Sequence, residues 1–269
     1  MPTRLPSCPS PWDQVAVDYA AEVTPLFRHF SQEALQLAAL TPGARVLDVA
    51  TGPGTLALEA ARLGARVSAV DSSPRMIDAL RARAAAEGVD GIAASVGDGQ
   101  ALVFSDGVFD ATFSMFGLIF FPDRAKGFRE LRRVLRPGGR AVVSSWAAVE
   151  RSSFMSVLWT SLRAAMPMFF WPGDASTLAS PEGLRQEMRA SSFREVDVRT
   201  TCLDVTFPSP NKAWAWFASL SPPLVGLRSS VGEGPWRAFS GRVSSNLEAS
   251  LGQGEVRLEL SAHLGLGWA

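Results

Sequence analysis

Residues 46–55 read Val-Leu-Asp-Val-Ala-Thr-Gly-Pro-Gly-Thr, an apolar strand that runs into a glycine-bearing turn and then a helix. Gly52 and Gly54 let backbone approach a ligand with no side chain in the way, and Thr55-Leu56-Ala57-Leu58-Glu59-Ala60-Ala61 is a good helix opening. About seventeen residues past Gly54, a second strand over 66–70 ends on Asp71, close to the spacing at which an acid meets a ribose after a glycine turn. Asp48 and Asp71, each at a strand end, define one nucleoside pocket. A bare strand-to-helix turn and a nicotinamide dinucleotide site are the rival readings. The second wants a third glycine where Ala57 stands.

Outward from this stretch the chain alternates strand and helix. Strands are expected at 45–49, 66–70, 92–96, 109–115 and 141–146. Between them lie a helix over 55–63, a second capped by Ser73 with Pro74 at its first position and closing near Gly88, and a third whose apolar face is Phe128, Leu131, Val134 and Leu135. Pro137-Gly138-Gly139 is expected to turn that last helix into its strand. This rhythm predicts a parallel sheet with helices on both faces. Before it, 12–40 is helical, with Ser31 as an N-cap and Thr41-Pro42-Gly43 as the stop. Beyond Trp146 aromatic clusters and prolines suggest helical insertions over the sheet, and further strands are expected at 195–202 and 256–264. The expectation is one α/β domain over 1–269, with a loose arm over 1–11, a cofactor-binding half over 12–146, and cap insertions with the last two strands over 147–269.

Composition narrows the function. The 269 residues are 47% hydrophobic, and 26 Lys and Arg balance 26 Asp and Glu, so no overall field favours nucleic acid or an anionic membrane. Two cysteines, Cys8 and Cys202, suit a reducing cytoplasm. The start lacks the apolar run of a secretory signal, and the most apolar window, 113–121, is about half the roughly 20 residues a membrane span needs. The arginines at 129, 132, 133 and 136 read as a solvated helix face, and no spacing of acids and histidines suggests a divalent metal. A soluble cytoplasmic protein with a small lipophilic partner is expected.

Four blocks together resemble the S-adenosylmethionine-dependent methyltransferases of Rossmann-like fold, in particular the small-molecule branch that includes ubiquinone and menaquinone biosynthesis enzymes. They are V-L-D-V-A-T-G-P-G at 46–54, V-S-A-V-D-S-S-P-R-M-I at 67–77, G-D-G-Q-A-L-V-F-S-D-G-V-F-D at 97–110 and F-R-E-L-R-R-V-L-R-P-G-G-R at 128–140. The resemblance implies a seven-stranded, mostly parallel sheet. It implies S-adenosyl-L-methionine as cofactor and S-adenosyl-L-homocysteine as product. Asp48, Ala50, Thr51, Gly52 and Gly54 would line the methionine and ribose part, with Asp48 near the ammonium. Asp71 would accept from the ribose hydroxyls, Ser72 and Met76 would flank the adenine, and Gly97, Asp98, Gly99 and Gln100 would read its amino edge. Ser114, Met115 and Phe116 would lie beside the reactive methyl, and Tyr19 and Phe27 in the N-terminal helices would close over it.

The remaining candidates come from residue type. His29, one of two histidines, is the general-base candidate for a hydroxyl acceptor, and its other reading is a helix-face residue between Phe27 and Phe30. His263 reads as structural. Phe170, Trp171, Trp214 and Phe217 are candidates for an apolar acceptor wall, with core packing as the alternative. Three functions follow: methyl transfer to oxygen or carbon of a small lipophilic acceptor such as a quinone precursor, polyketide, terpenoid or aromatic metabolite; a non-methylating reaction such as cyclisation on the same cofactor-binding fold; or a nucleoside-binding module without chemistry.

Overall fold

The computed structural model describes residues 10–148, 151, 153–167 and 177–269. Ser10 and Pro11, expected in a loose arm, instead cap and open helix α1 (Pro11–Glu22), where the Ser10 hydroxyl accepts from Asp13 N and the Asp13 carboxylate accepts from Ser10 N. α2 (Thr24–Ala38) follows at once. Ser31 is therefore not a cap: it lies inside α2, 1% exposed, because the helix opens seven residues earlier at Thr24-Pro25.

The alternating half has the predicted order, β1 (Arg45–Val49), α3 (Thr55–Arg62), β2 (Arg66–Asp71), α4 (Pro74–Ala86), β3 (Ile92–Val96), β4 (Phe109–Met115), α5 (Arg124–Arg133) and β5 (Leu135–Trp146). Leu135, expected on the face of the last helix, opens β5 instead, six residues before the expected strand. Pro137-Gly138-Gly139 is not a turn before β5 but an irregularity within it, where pairing with β4 shifts between Leu135 and Arg140. The cap half adds α6 (Ser153–Ala165), α7 (Pro181–Ala190), β6 (Arg194–Phe207), α8 (Pro210–Leu220), α9 (Pro222–Val231), α10 (Glu233–Leu251) and β7 (Val256–Trp268).

The seven strands form one sheet in the order β3-β2-β1-β4-β5-β7-β6, with β7 antiparallel to both neighbours and the other pairings parallel. Buried residues of α2 and α3, including Leu35, Leu56 and Ala57, pack on one face of the sheet. Phe128 and Leu131 of α5 and Leu184 and Met188 of α7 pack on the other. A third cluster fills the cap side, where Phe207, Val256 and Leu258 meet Leu158 and Trp159 of α6, Trp214 of α8, and Trp236, Phe239 and Val243 of α10, and it runs on to Phe30 of α2 and Phe116 after β4. Strand order reverses between β1 and β4, and open α/β sheets bind ligands outside the carboxyl ends of their strands at such a switch point.

Candidate active site

Two non-glycine residues at those strand ends take left-handed backbone, Ala50 after β1 (φ 55°) and Phe116 after β4 (φ 59°). Such conformations cost about 1–3 kcal/mol each and persist where the surroundings impose them. Between them the chain reverses into α3 through Gly54, whose φ of +80° and approach to Leu80, 2.5 Å from an added Cβ to Cγ, leave room for no side chain.

Two carboxylates flank this turn, Asp71 in front and Asp48 behind. Asp71 is 9% exposed and accepts from Gly52 N (2.8 Å) and Ser73 N (2.9 Å). Burial raises its pKa, and these two backbone hydrogen bonds act against the rise. Asp48 is 1% exposed, and its Oδ2 accepts from the Thr51 hydroxyl at 2.6 Å. Burial pushes its carboxyl up to about 7, against the Thr51 bond, with the negative charge of Asp71 adding to the rise. Asp48 Oδ1 has no partner, and neither does Ser114 Oγ on β4. A cationic, hydrogen-bonding group is the partner that such a buried carboxylate oxygen wants.

One cavity of about 530 Å³ opens over these strand ends, within the range of small-molecule pockets. Ala50, Gly52, Asp71, Ser72 and Met76 form one part of its wall, and Gly97, Asp98, Gly99 and Gln100 another. Asp98 Oδ1 accepts from Gln100 N at 2.8 Å. Tyr19, Phe27, Met115 and Phe116 line it too, and so does Phe217. Burial and the nearby Asp71 charge both push the Tyr19 phenol up, so it stays protonated as a donor. α1 is fixed over the site by Asp13, whose Oδ1 accepts from the Ser73 hydroxyl at 2.5 Å.

Other expected residues lie elsewhere. Asp48, Thr51, Gly54 and Ser114 are buried behind the wall rather than in it. His29 is not among the lining residues; its Nε2 lies 3.3 Å from Glu33 and 3.4 Å from the Thr201 hydroxyl, between α2 and β6. Trp214 is 2% exposed, donates to Ser240 Oγ at 2.7 Å and packs on Trp236, so it belongs to the cap core and not to the acceptor wall. Phe170 and Trp171 fall outside the described residues. His263 is buried, with Thr200 Oγ1 at 2.9 Å and Ala179 O at 3.1 Å, and burial lowers its pKa.

Sequence reasoning passed over Trp12, Trp146, Ser221 and Pro222, all of which line the cavity, as does Trp216 of the aromatic cluster at 214–217. Trp146 stacks on Phe116 with ring centroids 4.2 Å apart, and Phe27 meets Phe116 at 4.9 Å, which makes an aromatic wall beside the end of β4. The signal for Trp216 was present. Residues 214 and 216 sit about 200° apart around a helix, so they could not share one face.

Residues 46–139 match the family model described as "Methyltransferase domain". A demethylmenaquinone methyltransferase of Thermus thermophilus is 33% identical over 196 residues, a stretch spanning 68% of this chain and 80% of that protein. The chain belongs to the class I S-adenosylmethionine-dependent methyltransferases. An uncharacterized protein of Mycobacterium tuberculosis is 39% identical over 129 residues, and this match spans about half the length of that protein, 47%. The YcgJ protein of Bacillus subtilis shares the fold, with a TM-score of 0.59 at 18% identity over 89% of this chain and 97% of that one.

The cofactor of this methyltransferase family is S-adenosylmethionine, and the chain's residues fit it. Asp71 lies in the cavity wall where hydroxyls can donate to it, the 97–100 loop offers backbone and the Asp98 carboxylate to a heterocycle edge, and Asp48 lies behind the wall, beneath the turn. Among the described residues no helix is long and apolar enough to cross a membrane.

Proposed function

We propose that this chain transfers a methyl group from S-adenosylmethionine to oxygen or carbon of a small lipophilic acceptor. The observation that carries the reading is a single cavity whose wall passes from the Asp71 and Gly52 turn to Phe116, Trp146, Trp216 and Phe217. The names of two relatives, both demethylmenaquinone methyltransferases, support a ring of quinone type as acceptor.

When bound, the cofactor supplies a methyl group already activated on a positively charged sulfur. The residues of this chain hold and orient. Asp71 secures the ribose end, Asp48 holds the turn from behind through the Thr51 hydroxyl, beneath the amino acid end, Ser72 and Met76 flank the adenine, and Asp98 with Gln100 meets its edge. Phe116, Trp146 and Phe217 hold a flat apolar acceptor against the end of β4 and exclude water. Fixing the two reactants in this way can supply on the order of 7–11 kcal/mol of the barrier. The acceptor gains methyl and gives up a proton to solvent, and the sulfur keeps the electron pair as S-adenosylhomocysteine.

The test is incubation with S-adenosylmethionine and a panel of naphthols and reduced quinones, followed by mass measurement of both products. S-adenosylhomocysteine together with an acceptor heavier by one methylene is expected. A transformed acceptor without S-adenosylhomocysteine would replace the reading with a non-methylating reaction. Tight binding of both ligands with no product across the panel would leave a binding module.

A further inference from the structure

Among the described residues, three buried side-chain polar atoms have no hydrogen-bond partner: Asp48 Oδ1, Ser114 Oγ and Ser221 Oγ. The first two lie by the cofactor turn. Ser221 lies at the junction of α8 and α9 in the cap, is 6% exposed, and forms part of the cavity wall.

Its position explains why the hydroxyl is free. A serine that precedes a helix normally spends its oxygen on the N–H of the second or third helical residue. Here the first two helical residues are Pro222 and Pro223, which carry no N–H. The next two donors, Leu224 N and Val225 N, go to the Ser221 backbone oxygen at 3.0 and 2.9 Å. No capping role is left for the side chain, and α9 has no side-chain cap bond. Around it the cap side of the wall is apolar, with Trp216, Phe217, Leu220, Pro222 and Pro223. A buried hydroxyl costs free energy unless something pairs with it; Ser221 lines the cavity, and a turn about its χ1 is what brings Oγ, closed off in this rotamer, to a partner there.

We propose that Ser221 is a specificity-determining residue that hydrogen-bonds one oxygen, hydroxyl or carbonyl, on an otherwise apolar acceptor and so fixes which way the acceptor faces in the cavity. This rests on the reading of the chain as a methyltransferase for a lipophilic acceptor. A site that pairs with a substrate oxygen rejects the analogue lacking it, because the protein group is then buried unpaired.

The experiment uses the full chain saturated with S-adenosylhomocysteine, titrated with 1-naphthol and with naphthalene, which differ by that one oxygen. Wild type is expected to bind 1-naphthol about tenfold more tightly, equivalent to about 1.4 kcal/mol. Ser221→Ala should abolish the preference while leaving affinities for naphthalene and S-adenosylhomocysteine unchanged, and Ser221→Thr, which keeps the hydroxyl, should retain it. Equal affinity of wild type for the two probes, or an undiminished preference in Ser221→Ala, overturns the assignment. A drop in S-adenosylhomocysteine affinity in Ser221→Ala moves the hydroxyl to the cofactor and overturns it as well. Failure of wild type to bind either probe overturns the lipophilic-acceptor reading itself, a result separate from loss of discrimination between probes that do bind.

Discussion

The turn around Gly52 and the cap around Trp214 serve one cavity on different physical terms. At the turn, the working parts are backbone groups and two carboxylates: Asp71 is held by Gly52 N and Ser73 N, and Asp48 by the Thr51 hydroxyl. In the cap they are large apolar side chains, with Trp214 against Trp236 and Phe239 in a cluster that runs on to Phe30 and Phe116. Polar, backbone-anchored geometry holds a fixed cofactor and tolerates little change. Apolar packing tolerates exchange of volume for volume, which suits the part that meets a variable acceptor.

Substitutions can break or sharpen this contrast. Trp214→Ala empties a buried site and should lower stability by about 3–5 kcal/mol, read as a fall in denaturation midpoint. S-adenosylhomocysteine affinity should hold under conditions where the variant is folded; an affinity that falls with stability would mean that turn and cap are one cooperative unit. Asp71→Ala reverses the pattern. It removes the acceptor of two backbone N–H groups and, under the proposed function, of the ribose hydroxyls, so cofactor affinity should fall by about 2–3 kcal/mol in calorimetry, on the scale of hydrogen bonds to a charged group. Unchanged affinity would remove Asp71 from the site.

The pH dependence probes the same side of the contrast more gently. Burial holds the Asp48 carboxyl at about 7 in the free protein against an ordinary 3.8. Its protonated form is favoured by folding, so the stability it contributes is full below 3.8 and is lost as pH rises through about 7. Binding of an ammonium-bearing ligand has the opposite sign, since it needs the carboxylate. Affinity for S-adenosylhomocysteine should weaken by up to about tenfold per pH unit below 7, with a proton released on binding. A flat profile from pH 5.5 to 8 would take Asp48 away from the ammonium. The smallest effect is expected at His29, which stands off the cavity beside Glu33 and Thr201. His29→Ala should change stability by less than about 0.5 kcal/mol and leave turnover at wild-type rate in the product assay. A collapse in kcat would place a base where the described geometry has none.

The first five strands were legible because strand and helix alternate with clear punctuation, and the carboxylates at 48 and 71 sit at strand ends that the pattern itself marks. What stayed hidden depended on contacts distant in sequence. β7 runs on past residue 264 to Trp268 through Gly265 and Gly267, which read like a strand's end; Gly265 is there because Met188 and Leu184 of α7 press on it, with Sδ 2.7 Å from an added Cβ. Ser31 looks like a cap by residue type, yet the prolines at 11 and 25 set the helix starts. Trp214 and Trp216 are equivalent by composition, and only the seating of α8 on α10 sends one to the core and the other to the cavity. Ser221 gave no signal at all until the bonds of its neighbours were known.

The pairing of β6 with β7 ends with Phe207 opposite Val256, and α8, α9 and α10 lie between these two residues in sequence. The three helices thus leave and rejoin the sheet at adjacent points. An insertion with neighbouring ends disturbs its host little. The 48 residues between 207 and 256 are thereby a segment that can vary in length while the seven strands keep their register, provided that what replaces it covers Leu158 and Trp159 of α6.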